Sequence, residues 1–378
     1  MTKFPEPPDP VDLTRSLIEL DTMDPPGNES VAADFLGGIL AAAGLRVAYH
    51  TLADGRRGLV ATLPGEGDRP ALCFCGHLDT VPAGGAAWQG HPLEARFSQG
   101  KIIGRGASDM KSGLAAMTTA ILRLAAVPRR QADVVAIFTA GEETGSEGAS
   151  RMVTDGVLPS PAGALILGEP SGNVPFLGHK GTLWLQCRVR GKSAHGSMPD
   201  QGKNAVIAAA RAILALEGLL DEVAADPRLG RPTLNVGTFN GGTKINMVPD
   251  LAEFTVDMRT VPGLSHEWLY RRVCDRLGPA LETLKLLDLP PVLTDENEPW
   301  IREVLQLLEA ADFPARPGYV NYFTDASALA PGLGNPPVLI LGPGEATQAH
   351  QTDEWCRVDD IHRAAEIYLH IARAWCRV

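Results

Sequence analysis

The sequence lacks the features by which membrane proteins and nucleic-acid-binding proteins are recognised. Its longest apolar stretches have the length of a strand, which is too short to span a bilayer. It also has no excess of basic residues, since 34 Lys and Arg stand against 45 Asp and Glu, for a formal net charge of -11. Nucleic acids and anionic membranes bind basic surfaces, so neither is expected as a partner.

Paired cysteines and a targeting segment are also absent. The six cysteines form no pair of CxxC knuckles, which argues against a cysteine-rich zinc site. Scattered, unpaired cysteines are typical of a reducing compartment. The proline-rich start, MTKFPEPPDP, has neither a basic nor an apolar region and is not expected to be a signal peptide. We therefore predict a cytoplasmic protein.

What the sequence does contain is a set of short apolar strands that end in polar turns. Residues 134–139 are rich in β-branched and aromatic side chains, which predicts a strand buried on both faces of an α/β sheet. Two adjacent carboxylates, Glu142 and Glu143, follow this strand. Neighbouring acids repel each other and are costly to bury, so they indicate a bound cation. A solvated acidic turn is the alternative.

The same arrangement of strand and polar turn recurs along the chain. The carboxyl ends of parallel strands share one edge of the sheet, where ligands bind in open α/β folds. The polar residues that follow the other strands are His77 and Asp79 after residues 71–75, Glu169 after residues 164–167, and His350 beyond residues 338–341. Asp79 lies close enough to His77 in sequence to orient its imidazole ring.

One further acid, Asp109, lies in the glycine-rich segment GRGASDMKSG, directly before a predicted helix. An aspartate in this position commonly caps the helix N-terminus, which is the alternative to metal binding. The glycines match neither the GxxxxGK[ST] nor the GxGxxG pattern, so a phosphate-binding loop is not expected.

Together these residues form a set of nitrogen and oxygen ligands without cysteine, which suits zinc, manganese or cobalt. The carboxylates are too many for one tetrahedral zinc. They suit two metal ions that share a bridging carboxylate and a water, with one acid left over as a base. The residues alone do not decide which of Glu142 and Glu143 is the base and which is the ligand.

The middle of the chain has a different order of elements. Strands are predicted at 181–189, 233–239 and 252–258, with helices at 204–220 and 265–287 and a short strand after them. This β-α-β-β-α-β order is that of a ferredoxin-like unit. We expect an α/β catalytic domain (1–180 and 294–378), with a mixed, mainly parallel sheet flanked by helices. Into it an α+β domain (181–293) is inserted as a lid or dimer surface.

The inserted domain carries polar residues in loops that suggest contact with a substrate. His195 lies in KSAHGS, Lys244 and Asn246 lie in GGTKIN, and Arg259 closes the strand that ends in DMR. The planar guanidinium of Arg259 matches a carboxylate, so a substrate with a free carboxylate is expected. Exposed turn residues of a small domain would have the same pattern.

Six stretches occur in order along the chain: GHLDTVP (76–82), GRGASDMKSG (104–113), GEETGSEG (141–148), GEP (168–170), SAHGSMP (193–199) and AHQTDEW (349–355). With them the chain resembles the M20 family of metallopeptidases and amidohydrolases. This group contains acetylornithine deacetylase, succinyl-diaminopimelate desuccinylase and glutamate carboxypeptidase. The resemblance extends from roughly Leu13 to the C-terminal helix.

The resemblance implies a zinc-peptidase-like catalytic domain that binds two divalent metal ions. Zinc is the expected metal, with cobalt and manganese as alternatives. The implied ligands are His77 and Glu169 for one ion, Glu143 and His350 for the other, and Asp109 as the bridge between them. The resemblance also makes Glu142 the general base and Asp79 the partner that holds His77.

The resemblance further implies a homodimer formed through the inserted domain. His195 of one subunit would then donate a hydrogen bond to the oxyanion in the active site of the other. Asn246 and Arg259 would help to hold the substrate, with Lys244 and Asp325 as further candidates.

The implied reaction is hydrolysis of the amide bond of an N-acyl amino acid, of the deacetylase or desuccinylase type. The alternatives are a carboxypeptidase or dipeptidase acting on short peptides, and a metal-binding protein without catalytic activity. A serine hydrolase is not expected, because the chain has no GxSxG sequence. The acyl group and the amino acid are not determined by the sequence.

Overall fold

The computed structural model describes residues 7–378. The expectation that the chain begins without a signal peptide therefore falls partly outside the described residues. The chain divides into two compact units. The first comprises the described residues up to Gly178 together with 293–318 and 324–378, and the second comprises 179–292 and 319–323. The predicted catalytic domain included residues 319–323, whereas these residues belong to the second unit.

The helices vary from two to five turns in length. In chain order they are α1 (Pro10–Ile18), α2 (Ser30–Ala42), α3 (Lys111–Ala125), α4 (Glu147–Thr154), α5 (Ala205–Ala215), α6 (His266–Leu277), α7 (Pro299–Ala310), α8 (Ala326–Gly332) and α9 (Val358–Cys376). None of the helices within residues 7–378 combines the length and the apolar character needed to cross a bilayer.

The strands belong to three sheets. In chain order they are β1 (Arg46–Ala53), β2 (Arg56–Leu63), β3 (Arg69–His77), β4 (Arg96–Ser98), β5 (Lys101–Ile103), β6 (Ala132–Thr139), β7 (Ala164–Leu167), β8 (Phe176–His179), β9 (Gly181–Arg190), β10 (Thr233–Gly241), β11 (Leu251–Thr260), β12 (Leu281–Leu289), β13 (Val292–Leu293), β14 (Gly318–Val320), β15 (Val338–Ile340) and β16 (Trp355–Arg357).

The large sheet has the strand order β1-β2-β6-β3-β7-β15-β8-β13, with β14 paired to β8. Its four central strands, β6, β3, β7 and β15, are parallel to one another, whereas β2 and β8 pair with them antiparallel. The central strands are buried along nearly their whole length, as their continuous apolar runs predict. The predicted mixed, mainly parallel sheet flanked by helices is confirmed.

The second unit contains a four-stranded antiparallel sheet in the order β10-β11-β9-β12. Helices α5 and α6 pack on it around a mainly aliphatic core that also contains Cys187, Phe254 and Met258. With the chain order β9-α5-β10-β11-α6-β12, this is the predicted ferredoxin-like unit.

The helix predicted at 265–287 is too long. Helix α6 begins after Ser265, whose hydroxyl accepts the N–H of Trp268, and ends at Leu277. Gly278 then takes a φ of +77°, which interrupts the helix, and residues 281–289 form strand β12. The run LETLKLLDL becomes a strand because pairing with β9 packs alternate residues of it.

Close contact between α3 and the turn after β7 depends on Gly113. A Cβ atom at this position would lie 2.2 Å from the carbonyl oxygen of Gly168, the residue before Glu169. We expect Gly113→Ala to destabilise the fold by about 1–3 kcal/mol through overpacking and to displace the Glu169 turn. Chemical denaturation of the variant and the wild type measures the change in the free energy of unfolding.

The control is Gly38→Ala, in helix α2. A Cβ at Gly38 meets nothing within 4 Å, so alanine should be neutral or should stabilise the helix by up to about 1 kcal/mol. Equal effects of the two substitutions on the free energy of unfolding would contradict the packing argument.

Candidate metal centre

The parallel strands bring the candidate ligands to one edge of the large sheet. His77 is the last residue of β3, Glu142 and Glu143 follow β6, and Glu169 follows β7. His350 belongs to the long loop after β15. Because β6, β3, β7 and β15 are adjacent and parallel, their carboxyl ends open at the same edge.

The first cluster of candidate ligands contains His77, Asp109 and Glu169. The Nε2 atom of His77 lies 3.0 Å from Oδ1 of Asp109 and 3.7 Å from Oε2 of Glu169. One ligand atom from each residue lies within 4.8 Å of the other two. Asp109 is not the cap of α3, because the residue that precedes the helix is Met110 and no side chain caps it.

The second cluster contains Glu143 and His350 and shares Asp109 with the first. The Nε2 atom of His350 lies 3.0 Å from Oε2 of Glu143 and 3.6 Å from Oδ2 of Asp109. The two oxygens of Asp109 therefore face two different histidines. This arrangement is compatible with a carboxylate shared between two cations.

The pKa values of the carboxylates at this centre shift in both directions. Burial would raise the pKa of Asp109, but the hydrogen bond from His77 outweighs it and lowers that pKa. Burial raises the pKa of Glu142 well above its usual value, raises that of Glu143, and raises the pKa of Glu169 to about 7. Burial alone would lower the pKa of His77, but Glu169 and Asp109 outweigh it and raise the pKa well above the ordinary value. Bound cations would reverse these shifts, because they stabilise ionised carboxylates and neutral imidazole.

The donor set fits two divalent metal ions. Each cluster offers one imidazole nitrogen and carboxylate oxygens, the ligands preferred by zinc and other first-row ions. A third group of acids, Asp24, Glu29 and Asp79, also lies close together. There the guanidinium of Arg56 already binds Asp24 and Glu29, so the negative charge has a protein partner.

Asp79 was expected to hold the His77 ring, and it contacts the ring more closely through its backbone carbonyl than through its carboxylate. The Nδ1 atom of His77 hydrogen-bonds to the backbone carbonyl of Asp79 at 2.9 Å, whereas the Asp79 carboxylate lies 3.7 Å away. That carboxylate instead accepts the backbone N–H groups of Glu142, at 3.2 Å, and of Glu143, at 2.9 Å. One residue thus orients the His77 ring through its main chain and the two glutamates through its side chain.

The candidate substrate residues of the second unit lie in neighbouring loops. His195 is exposed, and its Nδ1 hydrogen-bonds to the hydroxyl of Ser197 at 2.7 Å. The N–H of Gly196 donates to the carbonyl of Asn246 at 2.8 Å, so the loops of His195 and Asn246 are side by side. Lys244, in the same loop as Asn246, is exposed.

Arg259 is held by a network that the sequence did not indicate. Its Nε lies 3.0 Å from the carboxylate of Asp257, which also accepts the indole N–H of Trp184 at 2.9 Å. The Arg259 guanidinium carbon lies 5.8 Å from the centre of the Phe323 ring. The signal for Asp257 was its place two residues before Arg259, on the same face of a strand.

Asp325 lies in the first unit and is 1% exposed. Its carboxylate accepts the hydroxyl of Thr139, at the end of β6, and burial raises the pKa of Asp325 to about 6. Contact of Asp325 with a substrate stays a prediction.

Three further charged residues with buried or half-buried contacts were not predicted from the sequence: Arg56, Arg105 and Glu354. Arg56 binds Asp24 and Glu29. Arg105 and Glu354 form a buried ion pair. The signal for these two was their place inside the stretches GRGASDMKSG and AHQTDEW, which already carried candidate ligands. Nothing local in the sequence distinguishes Arg56.

Comparison with known proteins identifies a family and related enzymes. Residues 73–374 match the model of peptidase family M20/M25/M40. A probable succinyl-diaminopimelate desuccinylase of Staphylococcus epidermidis is 29% identical over 411 residues, covering 97% of this chain and 98% of the relative. Acetylornithine deacetylase of Vibrio cholerae is 29% identical over 377 residues, covering 96% of each chain.

Solved structures share the fold. The M20 family metallo-carboxypeptidase Sso-CP2 of Sulfolobus solfataricus superposes with a TM-score of 0.82 at 19% identity, covering 98% of this chain and 100% of that one. A dinuclear metal-binding peptidase of the M20 family from Bacillus subtilis has a TM-score of 0.70 at 15% identity, covering 97% and 98%. At these identities the likeness concerns the fold.

The raised pKa values predict how the metal-free protein responds to pH. Glu169 has a pKa of about 7 in the folded chain against 4.5 as its ordinary value, so its ionisation destabilises the fold as pH rises through this range. The raised pKa of His77 acts in the same direction, because its stabilising protonated form is lost as pH rises. The metal-free chain should therefore melt at a higher temperature at about pH 6 than at about pH 7.

Thermal unfolding of metal-free protein at the two pH values measures this difference. The Glu169→Gln variant should respond less, because it removes one of the titrating groups. A melting temperature of the metal-free wild type that rises from about pH 6 to about pH 7 would count against the charge argument.

Proposed function

Because this chain belongs to peptidase family M20/M25/M40 and is a metal-dependent hydrolase, we propose that it cleaves the amide bond of an N-acyl amino acid at a centre of two divalent metal ions. The observation that carries the proposal is the position of Asp109, whose two oxygens face His77 and His350 separately. A single-metal site would not need one carboxylate between two histidines.

The residues that would hold the metals are His77, Glu169 and Asp109 for one ion, and Glu143, His350 and Asp109 for the other. Zinc is the proposed metal, with cobalt and manganese as alternatives, since the same nitrogen and oxygen ligands accept several first-row ions. When bound, the ions would acidify a water molecule and stabilise negative charge on the carbonyl oxygen.

Glu142 is the proposed general base. It is buried beside the candidate ligands, and its backbone N–H is fixed by Asp79. Its carboxylate takes the proton from the attacking water and then gives it to the leaving amine. Glu143, the adjacent residue, points to His350 and so has the geometry of a ligand.

Arg259, Asn246 and Lys244 are the proposed substrate contacts. Asp257 holds Arg259 by one edge of its guanidinium, which leaves the remaining N–H donors for a carboxylate of the substrate. Lys244 adds positive charge in an exposed loop. This arrangement favours substrates with a free carboxylate, as N-acyl amino acids and peptides both have.

Action on short peptides is the alternative, because solved structures with this fold include a metallo-carboxypeptidase. The relatives named deacetylase and desuccinylase favour N-acyl amino acids. Hydrolysis rates on N-acetylornithine, N-succinyl-diaminopimelate, N-acyl glutamate and dipeptides, with and without chelator, decide between the two. Faster cleavage of dipeptides than of every N-acyl amino acid would overturn the proposed substrate class.

A homodimer through the second unit is also proposed, with His195 acting in the partner's active site. Helix α5 exposes Ile207 and Leu214, and β10 is an edge strand of its sheet. An apolar helix face beside an open strand edge favours self-association. The cytoplasmic location stays a prediction.

Replacing the base tests the mechanism. In Glu142→Gln the side chain keeps its shape but loses the ability to accept a proton, so kcat should fall by roughly 10²–10⁴ while two metals per chain are retained. Turnover and metal content by elemental analysis measure the two effects.

The matched control is Glu147→Gln, the same change at an exposed position in the same segment. It should keep near wild-type turnover. Hydrolysis by Glu142→Gln at the wild-type rate would refute the assignment of the base.

Mixing two inactive variants tests the role of His195. A chain with Glu142→Gln supplies an intact His195, and a chain with His195→Ala supplies an intact Glu142. If His195 acts across the dimer, subunit exchange creates one complete site and activity returns. Mixed dimers that stay inactive, while each variant still binds metal, would place His195 outside the partner's site.

A further inference from the structure

A buried ion pair lies beside the metal centre and takes no part in the chemistry proposed above. Glu354 is 0% exposed and Arg105 is 2% exposed, and Nη1 of Arg105 lies 2.7 Å from Oε2 of Glu354. Burying two charges costs free energy unless further hydrogen bonds satisfy them. The additional partners of this pair therefore indicate what it does.

The Glu354 carboxylate binds the backbone of the segment that carries Asp109. Its Oε2 accepts the N–H of Gly106 at 2.9 Å, and its Oε1 accepts the N–H groups of Ser108 at 2.7 Å and Asp109 at 2.9 Å. One side chain thus fixes three backbone N–H groups within residues 106–109. The position of the Asp109 main chain, and so of its carboxylate, depends on Glu354.

Arg105 forms hydrogen bonds with two other segments of the chain. Its Nη1 donates to the carbonyl of Gln351 at 3.3 Å, and its Nη2 donates to the carbonyl of Pro82 at 3.1 Å. Gln351 is the residue after His350, and Pro82 ends the stretch GHLDTVP that contains His77. The pair therefore joins the three segments that carry His77, Asp109 and His350.

We propose that Arg105 and Glu354 are positioning residues that set the spacing of the two clusters and thereby their affinity for metal. The inference rests on the proposed two-metal function of the site. A pair that only stabilised the fold would not need to bind the main chain of the shared ligand and of the residue after His350.

Cobalt binding to the metal-free chain tests the proposal independently of activity. In Glu354→Gln an amide replaces one carboxylate oxygen, so it cannot accept all the hydrogen bonds that Glu354 accepts. We expect roughly 10- to 100-fold weaker binding of at least one Co²⁺ and an altered visible absorption spectrum of the cobalt-loaded protein.

The matched control is Glu366→Gln, which removes the same charge from the exposed pair of Arg123 and Glu366. This variant should bind two cobalt ions with wild-type affinity and spectrum.

A second variant separates positioning from stability. Glu354→Gln leaves Arg105 buried without its anion and can lower the melting temperature for that reason alone. The double variant Arg105→Gln and Glu354→Gln leaves no unpaired charge, so its melting temperature should recover at least in part. Its cobalt affinity should stay low, because the carboxylate that held Asp109 is still missing.

Cobalt affinity and spectrum equal to the wild type in either folded variant would overturn the proposal. A wild-type chain that binds fewer than two cobalt ions would instead contradict the proposed two-metal function. The two failures are therefore distinguishable.

Discussion

The concentration of negative charge at one edge of the large sheet is the constraint on which the rest of the structure depends. Parallel strands deliver Glu142, Glu143 and Glu169 to this edge, and Asp109 joins them from the segment before α3. Buried acids require partners. Where the protein supplies them, as Arg56 does for Glu29, the charge is compensated. Where histidines and acids face one another, the same groups could hold a cation.

Two buried carboxylates, those of Asp79 and Glu354, form hydrogen bonds with the main chain around the candidate ligands. Asp79 accepts the N–H groups of Glu142 and Glu143, and Glu354 accepts that of Asp109. Both bind the main chain of residues that belong to the clusters of candidate ligands or lie next to them in sequence. Hydrogen bonds to the main chain fix the backbone position of each acidic residue. They thereby restrict the positions that its flexible side chain can reach.

The second unit carries the proposed substrate contacts. Its loops carry donors and positive charge, with His195 exposed and Arg259 held by Asp257. Such groups suit the recognition of a carboxylate and the stabilisation of an oxyanion. Both clusters of candidate metal ligands, by contrast, lie wholly within the first unit.

The sequence alone determined the central strands of the large sheet and the chemical types of the candidate ligands. The apolar runs before His77, Glu142 and Glu169 predicted parallel strands, and residue types predicted nitrogen and oxygen ligands, because strand periodicity and ligand chemistry are local properties. Tertiary structure alone decided that the Asp79 carbonyl orients His77, that residues 281–289 pair as a strand, and that Asp325 is buried. The pairing of Arg105 with Glu354 spans 249 residues. Such contacts depend on which strands and loops become neighbours, and no local pattern encodes that.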